Sequence, residues 1–287
     1  MKVLVTGSQG FTGRYVKEEL LKNNHEVHDL ESNLLDKKAL DIEIQSKEID
    51  AVINLAAIAF VHHSDINAIY ENNIIGTRNL LDTLATYIPD IKHVLIASSA
   101  NVYGNAATEK ITEDIPLNPV NDYAISKVAV EHIAQLWMDR LPITITRPFN
   151  YTGVGQSEDF VIPKIVRHFK EKKDFIELGN LEVWREFNDV RSIAIIYRRL
   201  LENRPLNDVV NICSGETYSL KEVIENLSLI SNHEINIEVN KDLIRKTEVK
   251  KLAGDSKKLE LKIGKLNFLT LNDTLSWMFK ENQELIK

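Results

Sequence analysis

The first thirteen residues constrain the fold more strongly than any other segment of this chain. An apolar run, Val3–Val5, is followed by Gly7, Gly10 and Gly13 at three-residue spacing, and a helical pattern of apolar residues begins at Arg14. A strand that turns through spaced glycines into a helix is typical of the first βαβ unit of a dinucleotide-binding fold. The segment therefore predicts a parallel α/β sheet with a phosphate site at its edge.

Each glycine of this loop has its own physical task. Gly7 permits the tight turn after the strand, Gly10 lets backbone N–H groups approach a pyrophosphate, and Gly13 lets the helix pack closely on the strand. The N-terminus of the helix adds a favourable field for the anion. A purely structural turn needs no third glycine, so we expect a cofactor site here.

Short apolar runs alternate with amphipathic segments through the first half of the chain. The runs that we interpret as buried strands are Val3–Val5, Val27–Leu30, Ala51–Leu55, Val94–Ala97 and Ile143–Ile145. The segments with apolar residues at helical spacing are Arg14–Asn23, Asp36–Lys47, Asn67–Tyr87 and Tyr123–Asp139. Strands that alternate with helices form parallel βαβ units, so we predict a doubly wound parallel Rossmann sheet of the α/β class.

The second half is less regular and predicts a smaller mixed α/β cap that binds the substrate. Its expected helices are Phe160–Lys172, Ser192–Glu202, Leu220–Ser231, Asp255–Leu259 and Leu271–Lys280, and its expected strands are Val209–Cys213 and Ile235–Val239. We assign residues 1–150 and about 189–215 to the dinucleotide-binding domain. We assign about 151–188 and 216–287 to the substrate-binding region. Ligands of open α/β sheets lie beyond the carboxyl ends of the strands, where such a cap would cover them.

The composition limits the classes of partner. The 287 residues include 35 Lys and Arg against 42 Asp and Glu, a net charge of −7, whereas nucleic-acid-binding domains usually carry a basic face. One cysteine excludes an internal disulfide framework and favours a reducing compartment. The longest apolar stretch, Ala51–Val61, is far shorter than the roughly 18 residues of a membrane span. We therefore expect a cytoplasmic protein without a secretory leader and with no nucleic-acid or membrane partner.

The end of the second predicted strand bears on the choice of cofactor. Glu31 follows this strand at the place where a carboxylate accepts hydrogen bonds from the 2′-hydroxyl of an adenosine ribose and repels a 2′-phosphate. Asp29 is the alternative reader of the ribose, and no arginine is adjacent to either acid. The cofactor is therefore NAD(H) or NADP(H), with Glu31 favouring NAD.

A tyrosine and a lysine one helical turn apart form the candidate acid–base pair. Tyr123 and Lys127 lie at positions i and i+4, on one face of a predicted helix. An unperturbed tyrosine has a pKa of about 10, and a neighbouring ammonium group stabilises its phenolate and lowers that pKa. Upstream, Ser98 and Ser99 end the fourth predicted strand, where a hydroxyl could bind a substrate carbonyl or alkoxide or simply cap the strand end.

These features occur together in one known family. The chain resembles the extended short-chain dehydrogenase/reductases that act on nucleotide sugars, and the resemblance extends from residue 2 to about residue 280. Six motifs carry it in order: Thr6-Gly7-x-x-Gly10-Phe11-x-Gly13, Asn54-Leu55-Ala56-Ala57, Asn73-x-x-Gly76-Thr77, Ser98-Ser99-x-x-Val102-Tyr103-Gly104, Tyr123-x-x-x-Lys127 and Arg147-Pro148-Phe149-Asn150.

Two further segments are most similar to the branch that contains GDP-mannose 4,6-dehydratases and GDP-4-keto-6-deoxymannose reductases. They are Arg147–Gln156 and Arg185–Arg191, and the second is closer to the reductases. Arg245-x-x-Glu248-Val249 is also similar to both enzymes. The chain departs from the branch at Tyr151, where histidine is usual, and at Ser192, where aspartate is usual.

The resemblance implies a role for each matching residue. Ser99 would orient the C4 oxygen of the sugar, Tyr123 would be the acid–base group, and Lys127 would hold the cofactor ribose and tune the phenol. The implied cofactor-binding residues, with those of the glycine loop, are Gly7, Gln9, Gly10, Phe11, Thr12, Gly13, Glu31, Asn33, Leu34, Leu55, Ala56, Ala57, Asn73, Tyr123, Lys127 and Pro148. The implied nucleotide-sugar-binding residues are Ser64, Ser99, Asn101, Asn150, Lys164, Arg185, Arg245 and Glu248.

Three reactions use this kind of triad. A 4,6-dehydratase needs a further acid–base group, which family dehydratases carry as a glutamate two positions after the serine or threonine; here that position is Asn101, which cannot titrate. A 4-epimerase retains its NAD, and family epimerases tend to be longer chains. A 4-ketoreductase needs only a hydride and one proton from Tyr123. We therefore favour the NAD(P)H-dependent reduction of an NDP-4-keto-6-deoxyhexose to an NDP-6-deoxyhexose, in the synthesis of cell-surface polysaccharide precursors.

The other reactions stay open, the epimerase before the dehydratase. A non-catalytic protein that senses dinucleotides is a further alternative, although such proteins lose the tyrosine or lysine that this chain keeps. His62 and His63 do not indicate a metal site, because zinc requires three or four ligands and no third is visible. Family members often form dimers, and the apolar positions of Asn67–Tyr87 are suited to half of a helical interface in a homodimer.

Overall fold

The computed structural model describes residues 1–59, 65–106, 108–240 and 250–281. The strands in these ranges are β1 (Lys2–Thr6), β2 (Glu26–Asp29), β3 (Ala51–Asn54), β4 (His93–Ala97), β5 (Ile143–Pro148), β6 (Tyr151–Thr152), β7 (Phe175–Leu178), β8 (Trp184–Arg185), β9 (Asn188–Asp189), β10 (Asp208–Ile212), β11 (Tyr218–Ser219), β12 (Asn236–Val239) and β13 (Lys251–Leu252). The α-helices are α1 (Phe11–Lys22), α2 (Lys37–Gln45), α3 (Ile66–Tyr70), α4 (Gly76–Tyr87), α5 (Asp122–Trp137), α6 (Val161–Lys170), α7 (Val190–Asn203), α8 (Leu220–Ser231), α9 (Lys257–Ile263) and α10 (Leu271–Lys280).

Six of these strands form one sheet in the order β2-β1-β3-β4-β5-β10, and every neighbouring pair is parallel. The chain first winds outward from β1 to β2 and then crosses back to β3. This reversal opens a crevice at the carboxyl ends of β1 and β3, which is where ligands of such sheets bind. The predicted doubly wound parallel α/β fold is confirmed.

The side chains of each strand alternate between two helical layers. In β1, Val3 and Val5 pack with residues of α1, α7 and α9 on one face. Leu4 points to the other face and packs with residues of α2, α4 and α5. All three side chains are fully buried, and burial of one such side chain stabilises a fold by about 1.5–3 kcal/mol.

The second half forms a smaller cap beside the carboxyl edge of the sheet. Its helices α6, α8 and α10 pack around a core that includes Phe169, Val223 and Leu275. Strands β7 and β12 pair in parallel at its border, and β8 lies between β11 and β13 in a second small sheet. The cap is therefore mixed α/β.

Two predicted helices differ from the observed ones. The segment predicted as one helix at Asn67–Tyr87 is α3 and α4 joined by a π-helical turn, Glu71–Ile75. Helix α9 begins at Lys257 rather than Asp255, because the Asp255 carboxylate accepts the Lys257 N–H at 2.9 Å and so stays outside the helix. The sequence analysis places α9 in the substrate-binding region, whereas its apolar face packs on α7 and β10 of the central sheet.

No helix among the described residues is long and apolar enough to cross a bilayer.

Candidate active site

The glycine loop connects β1 to α1 at the crevice of the sheet. Gly7 has a φ of +67°, and a Cβ there would lie 2.9 Å from the Ala56 nitrogen. A Cβ on Gly13 would lie 2.1 Å from the Gly7 carbonyl oxygen, so a side chain at either position would displace the backbone. Helix α1 has no acidic residue in its first turn and no side-chain cap at Gly10. Its N–H groups are therefore suited to an anion.

A cavity of about 260 Å³ lies beside this loop, between β1, β3 and the turn that follows β2. Its walls include five residues predicted to bind a cofactor: Gly7, Asn33, Leu34, Ala56 and Ala57. The other lining residues are Thr6, Leu30, Ser32, Ile58 and Asn72. The glycine turn and the adjoining cavity fit the pyrophosphate and adenosine of a dinucleotide.

The two acids after β2 have different surroundings. Asp29 ends the strand and pairs with Lys17, with 2.6 Å between Oδ2 and Nζ; burial raises the pKa of Asp29, but hydrogen bonds from Lys17 and Ser8 outweigh it and lower that pKa. Glu31 is exposed, and its backbone N–H donates to the carboxylate of Glu43 at 3.0 Å. The predicted ribose reader is therefore accessible to solvent, and the choice between NAD and NADP stays a prediction.

The three predicted catalytic residues lie together at the carboxyl edge of β4. Ser99 follows that strand, and Tyr123 and Lys127 lie on one face of α5. All three are nearly buried, with exposed fractions of 7 %, 8 % and 4 %. Burial raises the pKa of Tyr123, the phenol of Tyr151 raises it further, and a hydrogen bond with Ser99 lowers it.

Lys127 lies beside Tyr123, the predicted acid–base residue. Its Nζ donates to the Ala97 carbonyl at 2.8 Å and lies 5.9 Å from the centre of the Tyr123 ring. Burial lowers the pKa of Lys127 to about 8, and the negative charge of Glu131 partly opposes this shift. The protonated ammonium group of Lys127 can therefore stabilise a phenolate that forms on Tyr123. With a pKa of about 8, the lysine loses this charge as the pH rises above that value.

Asn73 connects the cofactor cavity to the catalytic helix. It lies in the π-helical turn, is buried, and accepts the Ile58 N–H at 2.9 Å. Its amide nitrogen donates to the Ser126 hydroxyl at 3.0 Å, and this hydroxyl in turn donates to the Tyr123 carbonyl at 2.7 Å. π-Helical turns are frequent at functional sites, and this one turns a predicted cofactor contact toward α5.

A buried ion pair that the sequence analysis missed lies under the catalytic residues. Arg147, at the end of β5, donates through Nε and Nη2 to both oxygens of Glu131, at 2.9 and 2.6 Å. The Ser98 hydroxyl also donates to Glu131 at 2.5 Å. Glu131 follows Tyr123 and Lys127 at the same four-residue spacing, and this spacing was the available signal.

The predicted substrate residues are spread over the edge of the sheet and the cap. Asn101 lies in a 3₁₀ turn after Ser99 and donates its N–H to the Ser99 hydroxyl at 3.2 Å. Asn150 lies between β5 and β6 and is exposed. Lys164 on α6 donates to the Glu177 carbonyl at 2.9 Å, and Arg185 on β8 donates to the Trp184 carbonyl at 2.9 Å.

The remaining predictions cannot all be placed. Leu55 and Ala56 follow β3, Gln9 lies in the glycine loop, Phe11 and Thr12 begin α1, and Pro148 ends β5. Ser64, Arg245, Glu248, His62 and His63 lie outside the described residues. Within the described part of the chain, no three His, Cys, Asp or Glu side chains come together as a metal site.

Comparison with known proteins finds a family model that matches most of the chain and relatives that match nearly all of it. The model of the NAD dependent epimerase/dehydratase family matches residues 3–213. GDP-6-deoxy-D-talose 4-dehydrogenase from Aggregatibacter actinomycetemcomitans is 33% identical, over 98% of this chain and 97% of that protein. GDP-6-deoxy-D-mannose reductase from Pseudomonas aeruginosa is 30% identical, over 96% of this chain and 94% of that protein. The crystal structure of a putative epimerase from Burkholderia cenocepacia superposes with a TM-score of 0.92 at 39% identity, over 99% of this chain and 97% of that chain.

Proposed function

The chain belongs to the NAD dependent epimerase/dehydratase family, and from this membership we propose that it is a nucleotide-sugar 4-ketoreductase. The proposed reaction is the reduction of the C4 keto group of an NDP-4-keto-6-deoxyhexose to the NDP-6-deoxyhexose. The observation that carries the proposal is the similarity, along nearly the whole chain, to two enzymes whose names place their chemistry on GDP-6-deoxyhexoses. One of these names specifies position 4 of the sugar.

The geometry of the triad suits this reaction. A bound dihydronicotinamide would supply the hydride that becomes the new hydrogen on C4. The Ser99 hydroxyl orients the C4 oxygen, and Tyr123 donates its phenolic proton to that oxygen as the C=O bond becomes a C–OH bond. Because burial raises the pKa of Tyr123, the phenol keeps its proton until the developing alkoxide takes it. The positive charge of Lys127 then stabilises the phenolate until the solvent reprotonates it.

The residue two positions after Ser99, Asn101, argues against dehydration. A 4,6-dehydratase must also protonate the leaving C6 hydroxyl and remove the C5 proton, and position 101 holds an amide that can do neither. The Asn101 N–H instead donates to the Ser99 hydroxyl and so helps to hold that serine in place.

A 4-epimerase is the second candidate, favoured by the high identity to the putative epimerase from Burkholderia cenocepacia. It would use the same three residues, but it would oxidise and re-reduce each sugar on a retained cofactor. The two candidates therefore differ in one observable: a reductase consumes one dinucleotide per sugar, and an epimerase consumes none.

The deciding experiment supplies GDP-, dTDP-, CDP- and UDP-4-keto-6-deoxyhexoses with NADH or with NADPH and follows absorbance at 340 nm. We expect oxidation of the dinucleotide with at least one sugar nucleotide, and loss of turnover by at least about 1,000-fold in Tyr123→Phe with cofactor affinity retained. Epimerisation of a 4-hydroxy sugar nucleotide without net oxidation would replace the reductase by the epimerase. Full activity of the Tyr123→Phe variant would remove the acid–base assignment.

The remaining assignments complete the proposal. Glu31 favours NADH over NADPH, and the comparison of the two cofactors in that assay tests this preference. Asn150, Lys164 and Arg185 contact the nucleotide sugar together with Ser64, Arg245 and Glu248. The protein acts in the cytoplasm as a homodimer, and within the proposed α3–α4 interface Ile75 in the π-helical turn and Tyr87 at the end of α4 are exposed.

A further inference from the structure

Tyr151 connects the region after β5 to the glycine loop. It lies in β6, directly after Asn150, and its hydroxyl is 2.7 Å from the Thr12 hydroxyl in the first turn of α1. Its ring stacks on that of Phe11, with 6.1 Å between centroids and 11° between planes. Phe11 and Thr12 begin the helix whose N–H groups face the expected pyrophosphate. One side of Tyr151 is therefore attached to the phosphate-binding turn.

The position of Tyr151 along the chain brings it to the edge of the sheet that holds the candidate catalytic residues. Tyr151 comes shortly after β5, and Ser99 comes shortly after β4, the parallel neighbour of β5. Because neighbouring parallel strands end at the same edge of a sheet, both residues lie at the carboxyl edge. The contribution of Tyr151 to the raised pKa of Tyr123 agrees with this placement. Tyr151 thus connects the start of α1 to the edge where Ser99 and Tyr123 lie.

A bound dinucleotide would extend from the start of α1 to Tyr123. Its pyrophosphate lies at the start of α1 and its nicotinamide beside Tyr123, so the nicotinamide riboside passes from one to the other. Tyr151 is bonded to Thr12 at the first location and follows β5, the strand beside the one that leads to Ser99. Phenylalanine would preserve its ring stack, whereas only a hydroxyl can make the bond to Thr12.

We propose that Tyr151 is a positioning residue for the nicotinamide half of the cofactor, acting through its hydrogen bond to Thr12 from its position after β5. The expected effect of Tyr151 on turnover, the catalytic part of the inference, rests on the proposed function. The expected effect on dinucleotide affinity does not, because a reductase and an epimerase place the nicotinamide in the same way.

The test measures the dissociation constants of NADH and NADPH by fluorescence, without substrate, in matched variants. The net contribution of a neutral hydrogen bond, about 0.5–1.5 kcal/mol, corresponds to a roughly 2- to 12-fold change in affinity. We expect Tyr151→Phe and Thr12→Val each to weaken binding by about this factor. The double variant should bind no worse than either single variant, because both remove the same bond, and Thr12→Ser should retain most of the affinity.

Tyr15→Phe is the matched control. Tyr15 also connects α1 to the chain after β5, through a 2.7 Å hydrogen bond from its hydroxyl to the Val154 carbonyl. It makes no bond to Thr12, so its loss should lower the melting temperature without changing dinucleotide affinity. Equal affinity in wild type and Tyr151→Phe, or additive losses in the double variant, would overturn the proposal.

A second readout separates positioning from folding stability. Tyr151→Phe should raise the KM for the dinucleotide by about the same factor as the dissociation constant, and Tyr15→Phe should leave the KM unchanged. An unchanged KM in Tyr151→Phe would overturn the catalytic part. If wild type turns over none of the sugar nucleotides, the proposed reaction fails while the binding measurements still decide the role of Tyr151.

Discussion

Two glutamates are buried to the same degree in this protein, and they are stabilised in different ways. Glu131, beneath the catalytic helix, is 1 % exposed and meets the guanidinium of Arg147 through two parallel hydrogen bonds. Glu186, where the cap meets the end of β10, is also 1 % exposed. It accepts from neutral donors: the N–H of Gly254 at 2.7 Å, the N–H of Ser214 at 2.8 Å and the amide of Asn188 at 2.9 Å.

The two glutamates hold different kinds of structure together. The pair under α5 fixes three elements at once, because Glu131 belongs to α5, Arg147 to β5, and Ser98 follows β4. Such a pair costs little when intact but leaves an uncompensated charge when one partner is removed. Two of the neutral donors around Glu186 are backbone N–H groups that lie outside the helices and the numbered strands, so this carboxylate helps to order the segments at Ser214 and Gly254.

The largest expected effect comes from breaking the ion pair on one side. Arg147→Met leaves the Glu131 charge buried without its cation, and we expect the free energy of unfolding to fall by about 3–5 kcal/mol in urea titrations. The double variant Glu131→Met/Arg147→Met removes both charges and should lose less than Arg147→Met alone. Equal losses would show that packing, rather than the charge, is what Arg147 contributes.

Glu186→Gln should have a smaller effect. The glutamine amide would place N–H donors against N–H donors, at a cost of about 1–3 kcal/mol. Burial raises the pKa of Glu186, so its contribution to stability is present below the unfolded-state pKa of about 4.3 and is lost as the pH rises through the folded value. The destabilisation measured by urea unfolding should therefore be greater at pH 5 than at pH 8. A larger cost at pH 8 would mean that the neutral donors hold the ionised form.

Glu43 is a third carboxylate, and the pH dependence of its contribution to stability is opposite to that of Glu186. Glu43 accepts the N–H groups of Glu31 and Ser32 and pairs with Lys47 at 2.5 Å. Burial opposes these contacts, but together they lower the pKa of Glu43 to about 2. Its contribution is therefore present above the unfolded-state pKa and lost as the pH falls toward 2.

We expect Glu43→Gln to cost about 0.5–1.5 kcal/mol at pH 7 and less than half of that near pH 2.5, by urea unfolding at both values. Glu225→Gln is the matched control, because the exposed pair of Glu225 with Lys221, at 3.8 Å, should contribute under about 0.5 kcal/mol. A cost for Glu43→Gln that is as large at pH 2.5 as at pH 7 would contradict an effect of the ionised carboxylate.

The central sheet could be predicted because its strands are continuous apolar runs flanked by helical periodicity. The small strands β6, β8, β9, β11 and β13 could not, since two residues carry no periodic signal and these pairings depend on the tertiary fold. Tyr123 and Lys127 were visible through their spacing. The π-helical turn at Glu71–Ile75 was not, because an inserted residue leaves the apolar pattern of the helix almost unchanged.

The partners of buried charges were the hardest part of the site to foresee. Glu131 and Arg147 are 16 positions apart, and Glu186 and Gly254 are 68 apart. Which of the many acids meets a cation, and which meets backbone N–H groups, is decided by how β5, β10 and the cap come together. Tyr151 is a similar case: its residue type is visible in the sequence, but its bond to Thr12 spans 139 positions.

The position of β10 in the sheet has a consequence for how the chain is made. Strand β5 ends at Pro148, and the neighbour that covers its outer edge begins only at Asp208, about sixty residues later. At ribosomal rates of about 5–20 residues per second, that edge emerges unpaired for roughly 3–12 seconds. An uncovered strand edge invites pairing with other chains. The nascent protein is therefore most exposed to aggregation during the interval in which the first segment of its cap is being synthesised.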